Sequence, residues 1–350
     1  MAARQTFDLL LAGSSLLARL TALGLARGNR LKILLVAEPS VPLGLYPFGQ
    51  AALPLVTRPE TAALLRPLIE EAATTLADLQ VDGGRTEVTA IAESPESLAG
   101  LAHARHVLAA TGFDIEPHPD RRFGEESGAV RLRDVLAPDF VAAARAADAA
   151  LKAAGSRVMA SGMARMTVER DGTARIDAPG LRAEAALTLL IDDGLIPHPF
   201  ETLPVPPLLG RVPAVSVLGV PARPLIAPVL RFVDRQVTVE SGPRGSIRAE
   251  IGGSPQSAMA RLGSALVPEL PFRPAGRLHS FRLAAPDGAP FFGPLYRSKV
   301  LVAAGFGSAG LLFAPALARQ IAGAASRDEA QWFRAHGKAA RWPEWAGAFR

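Results

Sequence analysis

Apolar residues along this chain recur with two periods. Phe7 to Ala12 (FDLLLA) is an unbroken apolar run of strand length, and after Gly13-Ser14-Ser15 the spacing becomes that of a helix, with Leu16, Leu17, Leu20, Leu23 and Ala26 on one face. Leu31 to Ala37 (LKILLVA) is a second buried strand, closed by Glu38. Arg58 to Gln80 carries Leu64, Leu65, Leu68, Ile69, Leu76 and Leu79 near helical spacing and predicts an amphipathic helix. Thr86 to Ala92 reads as a strand of the same first domain. Ser94-Pro95-Glu96 opens another helix, with a serine cap and a proline in the first turn. Val107 to Gly112 reads as a strand ending in a glycine turn, and Gly112 to Gly128 as an exposed polar loop. Ala137 to Ala154 is an alanine-rich helix that stops at Gly155. Arg157 to Arg170 and Thr173 to Asp177 pair around Asp171-Gly172, a hairpin dipeptide, and Leu187 to Ile191 is a buried strand leading into Asp192-Asp193-Gly194.

At Leu195 the pattern changes. Proline and valine rise, helical periods vanish, and short runs between glycine and proline turns predict an antiparallel sheet to Pro274, with a helix over Ser257 to Leu270. Lys299 to Ala304 then returns to a short buried strand. Gly305-Phe306-Gly307-Ser308-Ala309-Gly310 follows it, and a helix-like run extends from Leu311 to Ala322.

Both chain ends therefore present a strand, a glycine turn and a helix N-terminus. That arrangement suits an anion, because backbone N–H groups point outward and the helix dipole favours negative charge; glycines there also serve plain turn chemistry. In the first unit Glu38 lies about 25 residues beyond Gly13, near the ~20 at which a carboxylate holds ribose hydroxyls in dinucleotide-binding units. The G-x-G-x-x-G fingerprint is altered, with Ser15 at the second glycine site and Ala18 at the third.

Composition narrows the classes. A chain of 350 residues, 49% hydrophobic and 20% charged, is a folded protein large enough for two joined domains. With no cysteine it has no disulfide, cysteine-ligated metal or cysteine-tethered cofactor. Only Lys32, Lys152, Lys299 and Lys338 among the 38 basic residues are lysine, and the arginines are scattered; a nucleic-acid groove would need clustering with interleaved aromatics, so no nucleic-acid partner is expected. His103 and His106, three apart, have no third ligand near them in sequence and read as solvated or capping residues. Val300 to Ala325 is apolar, but its glycines, Pro315 and Arg319 argue against a transmembrane segment. Arg4 and the first apolar run lead directly into the strand–helix–strand unit without a cleavage site, the expectation for a cytoplasmic protein.

Four blocks, in this order, resemble the FAD-dependent D-amino-acid oxidase-like superfamily, which includes glycine and sarcosine oxidases, D-amino-acid dehydrogenases and flavin subunits of opine or hydroxyproline dehydrogenases. They are DLLLAGSSLLARLTALGLARGNRLKILLVAEPS, GAVRLRDVLAPDFVAAARAADAALKAAGSRVMAS, ARIDAPGLRAEAALTLLIDDG and the stretch from Arg282 to Gln320, RLAAPDGAPFFGPLYRSKVLVAAGFGSAGLLFAPALARQ. The last is the most specific, being similar to the family's R-P-x-x-P-D-G-x-P-x-I-G-P followed by a glycine loop. The resemblance implies an α/β fold in which a Rossmann-like FAD-binding domain (1–194 and 275–325) carries an inserted antiparallel β-rich substrate domain (195–274), with a tail over 326–350. It implies non-covalent FAD contacted by Gly13, Ser15, Leu16, Ala18, Glu38, Pro39, Ala164, Gly194, Gly305, Phe306, Gly307, Ser308, Ala309, Gly310 and Leu311. Adjacent Asp192 and Asp193 depart from the family's Ala-Gly there and would repel a diphosphate.

The implied activity is oxidation of the C–N bond of a small amino acid or a secondary amine bearing a carboxylate. Arg282, where the motif places an arginine before the Asp-Gly turn, is the candidate clamp for that carboxylate, suited by its planar fork of donors. Tyr46 and His279 are further candidates for the active-site wall. The alternative is a non-catalytic or partner-dependent subunit of a hetero-oligomeric dehydrogenase, motivated by Ser15, Ala18 and the paired aspartates. Trp332, Trp342 and Trp345 in the tail suit either a packed C-terminal helix or docking on another subunit in a homo- or hetero-oligomer.

Overall fold

The FDLLLA run lies at the heart of the first sheet as part of β1 (Arg4–Ala12), between β9 (Leu181–Ile191) and β2 (Ile33–Ala37), both parallel to it. The computed structural model describes residues 4–37, 51–118, 127–163, 165–191, 210–242, 245–266, 272–284, 288–295 and 298–337. The first sheet continues on one side through β16 (Leu301–Ala304) to β15 (Phe291–Pro294) and on the other to β6 (Arg157–Ala160). The hairpin β7 (Arg165–Val168) and β8 (Ala174–Ala178) is joined to β9, and Gly172 makes its turn with φ 91°.

The first strands are continuously apolar because both faces of this sheet are covered. Leu9, Leu11, Ile33, Leu35 and Leu189 join a core with α1 (Leu16–Asn29), α2 (Pro59–Asp78), α4 (Phe140–Ala153) and α6 (Gly310–Ile321). On the other face, Leu10, Ala12, Leu34 and Val36 pack with the hairpin residues Val168, Ala174 and Ile176.

The second sheet runs β14 (Phe272–Ala284), β10 (Gly210–Pro221), β13 (Ile247–Gly252), β12 (Val237–Ser241), β11 (Val229–Phe232), β3 (Arg85–Ala92), β5 (Gly128–Leu136) and β4 (Ile115–Pro117). Its segment from β10 to β14 is antiparallel, as the proline- and valine-rich pattern implies, whereas β11 pairs with β3 in parallel. The Thr86 to Ala92 strand thus belongs to the second sheet and not to the first. Pairing across well over a hundred residues leaves no local trace in the chain. The expected helix over Ser257 to Leu270 is α5 (Pro255–Leu266), which covers the apolar face of β10 to β13.

Val107 to Gly112 is the end of a helix, α3 (Pro95–Ala110), and not a strand. Ser94 caps it by accepting from the Ser97 N–H, and Ser97, Leu101, Ala104 and Leu108 form one buried face through the supposed strand. A short apolar run satisfies either period, and the continuous helical face decides here. Gly112 (φ 83°) follows the helix end.

The tail is a packed helix where it is described. α7 (Arg327–His336) begins with a capping box, in which Ser326 accepts from Glu329 N while the Glu329 carboxylate accepts from Ser326 N. Glu329 also pairs with Arg319 of α6, which reaches Glu71 of α2 at 2.7 Å. Trp342 and Trp345 lie outside the described residues. Among these, no helix is long and apolar enough to cross a membrane.

Burial raises the pKa of Glu329, but hydrogen bonds from Arg319 and Ser326 more than offset it, holding the carboxyl below its ordinary value; the bonds from Arg319 to Glu329 and to Glu71 raise Arg319 against its own burial. A carboxyl depressed by folding adds stability above its unfolded pKa and loses it as the pH falls through the folded value. Thermal stability should therefore decline below about pH 4, near the unperturbed glutamate pKa. Glu329→Gln should lower the Tm at pH 7 and flatten that acid limb; an unchanged limb would remove Glu329 from the account.

Candidate functional site

Parallel pairing of β1, β9 and β16 sets the geometry of the site. Ala12 is in register with Leu190, and Ala303 with Ile191, so the chain leaves β1 at Gly13 and β16 at Gly305 along the same edge of the first sheet. The two glycine loops, almost three hundred residues apart in sequence, are neighbours.

Each glycine in these loops has its own cause. A Cβ on Gly13 would lie 2.7 Å from the Ala18 Cβ and 2.7 Å from the Ile191 carbonyl oxygen, so helix and sheet meet there too closely for a side chain. Ala18 serves the same close contact from the helix. Ser15 adopts extended geometry as the N-cap of α1, and its Oγ accepts from Ala18 N at 3.2 Å. Leu16 and Leu17 begin the helix, and Arg19, 2% exposed, donates to the Ser14 carbonyl and to Asp148 Oδ1 of α4 at 3.0 Å. The turn is thus fixed from below.

In the second loop, Gly305 (φ 74°) and Gly307 (φ 52°) take left-handed conformations that favour glycine. A Cβ on Gly307 would meet nothing within 4 Å, so its open side faces free space. Ser308 and Ala309 complete a 3-10 turn, and α6 starts at Gly310 and Leu311 with no side chain capping it. A Cβ on Gly310 would sit 3.3 Å from both the Leu17 and Phe306 Cβ atoms, which brings α6 beside α1. Phe306 is buried against Phe313 (centroids 5.1 Å), which stacks on Trp332 of α7 (4.9 Å). The Trp332 indole N–H donates to Thr61 Oγ1 at 3.0 Å.

Beneath the second loop lies a cavity of about 210 Å³. Gly305 to Ala309 and Phe313 form its roof, Leu53, Leu55 and Thr61 form a wall, and Arg231, Thr238, Glu240 and Glu250 form its floor. These floor residues alternate with Val237, Val239, Ala249 and Ile251, which face α5, so the second sheet has one apolar face and one charged face. Glu240 and Glu250 are 7% and 8% exposed, and Glu240 Oε1 accepts from the Ala51 N–H at 3.2 Å. A larger groove of about 940 Å³ lies between α2 and α7. It has no glycine loop, and its Arg319 and Glu329 already serve the helix contacts, so the smaller cavity is the better candidate for chemistry.

The structure thus brings Gly13, Ser15, Leu16 and Ala18 together with Gly305, Phe306, Gly307, Ser308, Ala309, Gly310 and Leu311. Glu38, Pro39, Tyr46, Ala164 and Gly194 lie outside the described residues. Arg282 pairs with Val212 along β14. His279 is exposed, lies opposite Val215 and does not line the cavity. His103 sits beside the Thr57 carbonyl, with Nε2 at 2.9 Å. The charged floor was not foreseen from the sequence, although the alternation in VTVES and IRAEIG marks two faces.

The donor set fits a dinucleotide cofactor. Two helix N-termini aim at one edge, the first turn of α6 lacks a side-chain cap, and Gly307 is open on its cavity side.

Substitutions should separate packing from binding at these loops. Gly13→Val places atoms against the Ile191 carbonyl, which cannot swing aside, and should cost about 1–3 kcal/mol in denaturant unfolding. Gly28→Ala in α1, where nothing lies within 4 Å of the new Cβ, should instead stabilise by about 0.5–1 kcal/mol. Equal effects from the two would contradict the close contact at Gly13.

No protein-family model matches the chain, and no curated protein matches it in sequence. Solved structures do match. L-proline dehydrogenase from P.horikoshii superposes with a TM-score of 0.76 at 11% identity, covering 96% of this chain and all of the other. Glycine oxidase from Geobacillus kaustophilus gives 0.67 at 17% identity over 91% and 94% of the two chains. The fructosyl amine:oxygen oxidoreductase Amadoriase I from Aspergillus fumigatus gives 0.69 at 14% identity over 94% and 89%. With its two mixed sheets and paired glycine loops, this chain has the fold of these solved oxidases and dehydrogenases.

Proposed function

We propose that this protein is an FAD-dependent oxidoreductase acting on the C–N bond of a small amino acid or a carboxylate-bearing secondary amine. One observation carries the proposal: two remote glycine loops leave the first sheet along the same edge, and the second of them borders a cavity floored by a charged face of the second sheet. The likeness to proteins named as a proline dehydrogenase, a glycine oxidase and an amine oxidoreductase supports the same class of reaction.

The N–H groups opening α1, at Leu16 and Leu17, and those from Gly307 to Leu311 would hold the cofactor diphosphate, with both helix dipoles favouring its charge. Glu38 would take the ribose hydroxyls, and Pro39, Ala164 and Gly194 would lie along the cofactor. When bound, the flavin supplies a hydride acceptor for the carbon beside nitrogen. The chain itself binds and orients the substrate. An arginine fork holds the carboxylate, with Arg282 as the candidate by motif and Arg231 already at the cavity, while Phe306, Phe313 and Trp332 keep the roof rigid and dry. Tyr46 is a further wall candidate, whereas His279, exposed and away from the cavity lining, is not.

Ser15 favours a second reading, since its Oγ already serves Ala18 N where a fingerprint glycine would leave the backbone open. In that reading the chain is a non-catalytic or partner-dependent subunit. Spectroscopy separates the two. The purified protein should be yellow, should release FAD on denaturation, and should bleach anaerobically with a suitable amine. A colourless protein that gains no thermal stability from added FAD would refute the enzyme. Arg282→Ala should weaken carboxylate substrates at least tenfold in kcat/KM and leave flavin content intact; equal loss of both would remove Arg282 from the substrate site.

A further inference from the structure

Ten positions of α1 are buried, and Arg19 is the one charged residue among them. Neither helix formation nor packing accounts for it. A cation in the first turn opposes the dipole of its own helix, and a buried ion pair holds a fold no better than apolar residues of similar size. Both sides of its fork are engaged. Nε donates to Asp148 Oδ1 at 3.0 Å, and Nη1 donates to the Ser14 carbonyl. Asp148 belongs to α4, whose Ala143, Ala144, Ala147 and Leu151 lie in the core shared with α1. The guanidinium thus ties the loop between β1 and α1 to a firmly packed helix.

The bond to Ser14 decides which way one peptide faces. Ser14 lies between Gly13, tight against the Ile191 carbonyl, and Ser15, the helix cap. A carbonyl oxygen turned to the mouth of this loop would repel an anion approaching the N–H groups of Leu16 and Leu17. Held by a residue that is 2% exposed, the Ser14 oxygen points into the protein instead. The ion pair is also oriented, with its positive end at the loop and its negative end on α4, so its field adds to the α1 dipole where an anion would sit.

We infer that Arg19 is a positioning residue for the cofactor: it turns the Ser14 carbonyl away from the diphosphate, and so lets a loop with Ser15 at a fingerprint glycine position bind a dinucleotide. It acts through Ser14 and touches no part of the cofactor itself. The inference rests on the function proposed above and names the side chain that offsets the altered fingerprint.

Equilibrium binding of FAD and of ADP to the full chain, freed of any bound flavin, tests this without turnover. Both probes carry the diphosphate, and only one carries the flavin. Arg19→Met, which has neither donor nor charge, should weaken both by roughly tenfold or more, and by the same factor within about threefold. Arg19→Lys keeps the charge without the fork and should recover part of that loss. Binding is read well below each protein's melting temperature, which is measured separately. A purely structural arginine would lower the melting temperature of Arg19→Met and leave both affinities native, and that result would overturn the inference. So would a loss for FAD alone, which would place the effect at the flavin end. Should Arg19→Met not fold, Arg19→Lys decides: a partial loss shared by FAD and ADP upholds the role, and native affinity for both ends it. Unmodified protein that binds neither probe refutes the proposed function and this inference with it, whereas tight FAD binding that no Arg19 variant alters refutes the inference alone.

Discussion

The closeness of two helices to one sheet is the constraint from which the rest follows. At Gly13 there is no room for a Cβ between Ala18 and the Ile191 carbonyl; at Gly310 a Cβ would press on Leu17; at Gly24 it would come within 3.0 Å of the Ala318 Cβ. Small residues at these three contacts let α1 and α6 lie side by side on β1, β9 and β16, with both N-termini at the same edge. The dipoles then add at one place instead of opposing each other across the molecule. The buried Arg19, bound to the Ser14 carbonyl and Asp148, keeps the first of these turns from opening.

The second sheet supplies what the first cannot. A sheet covered on both faces by apolar layers offers no polar surface except at its strand ends, so a substrate needing charged partners must find them elsewhere. The charged face of β10 to β13 is where the proposed substrate would find them, and α5 on its far side supplies the hydrophobic burial that holds it in place. Burying an ion costs several kcal/mol unless it is well paired, so such a face is a poor device for stability and a reasonable one for binding. The aromatic stack from Phe306 through Phe313 to Trp332 links the second glycine loop to α7, so the C-terminal helix supports the roof of the same cavity.

Much of the first sheet was legible in the sequence because its signals are local. FDLLLA and LKILLVA are long enough and apolar enough to be strands buried on both faces, and Asp171-Gly172 announces its own hairpin. Both glycine loops were legible for the same reason, and Gly13 with Ala18 followed from the fingerprint. What was missed depended on distance. Nothing within Thr86 to Ala92 says that it pairs with residues 229–232, and Val107 to Ala110 is apolar enough for either period until the buried face from Ser97 to Leu108 is seen whole. Arg231, Glu240 and Glu250 escaped notice for a subtler reason. Alternating charges on a strand ordinarily mark the solvent side, and only the placement of the second sheet against the glycine loop turns that side inward.

The central claim is that Gly13 to Ala18 and Gly305 to Leu311 close around one diphosphate-bearing molecule. Amide hydrogen exchange with and without added FAD tests it most directly. The account predicts that FAD slows exchange in both segments together, and that Gly307→Val diminishes protection in the remote Gly13 segment as well as in its own. Protection confined to one loop, or absent from both, would contradict it.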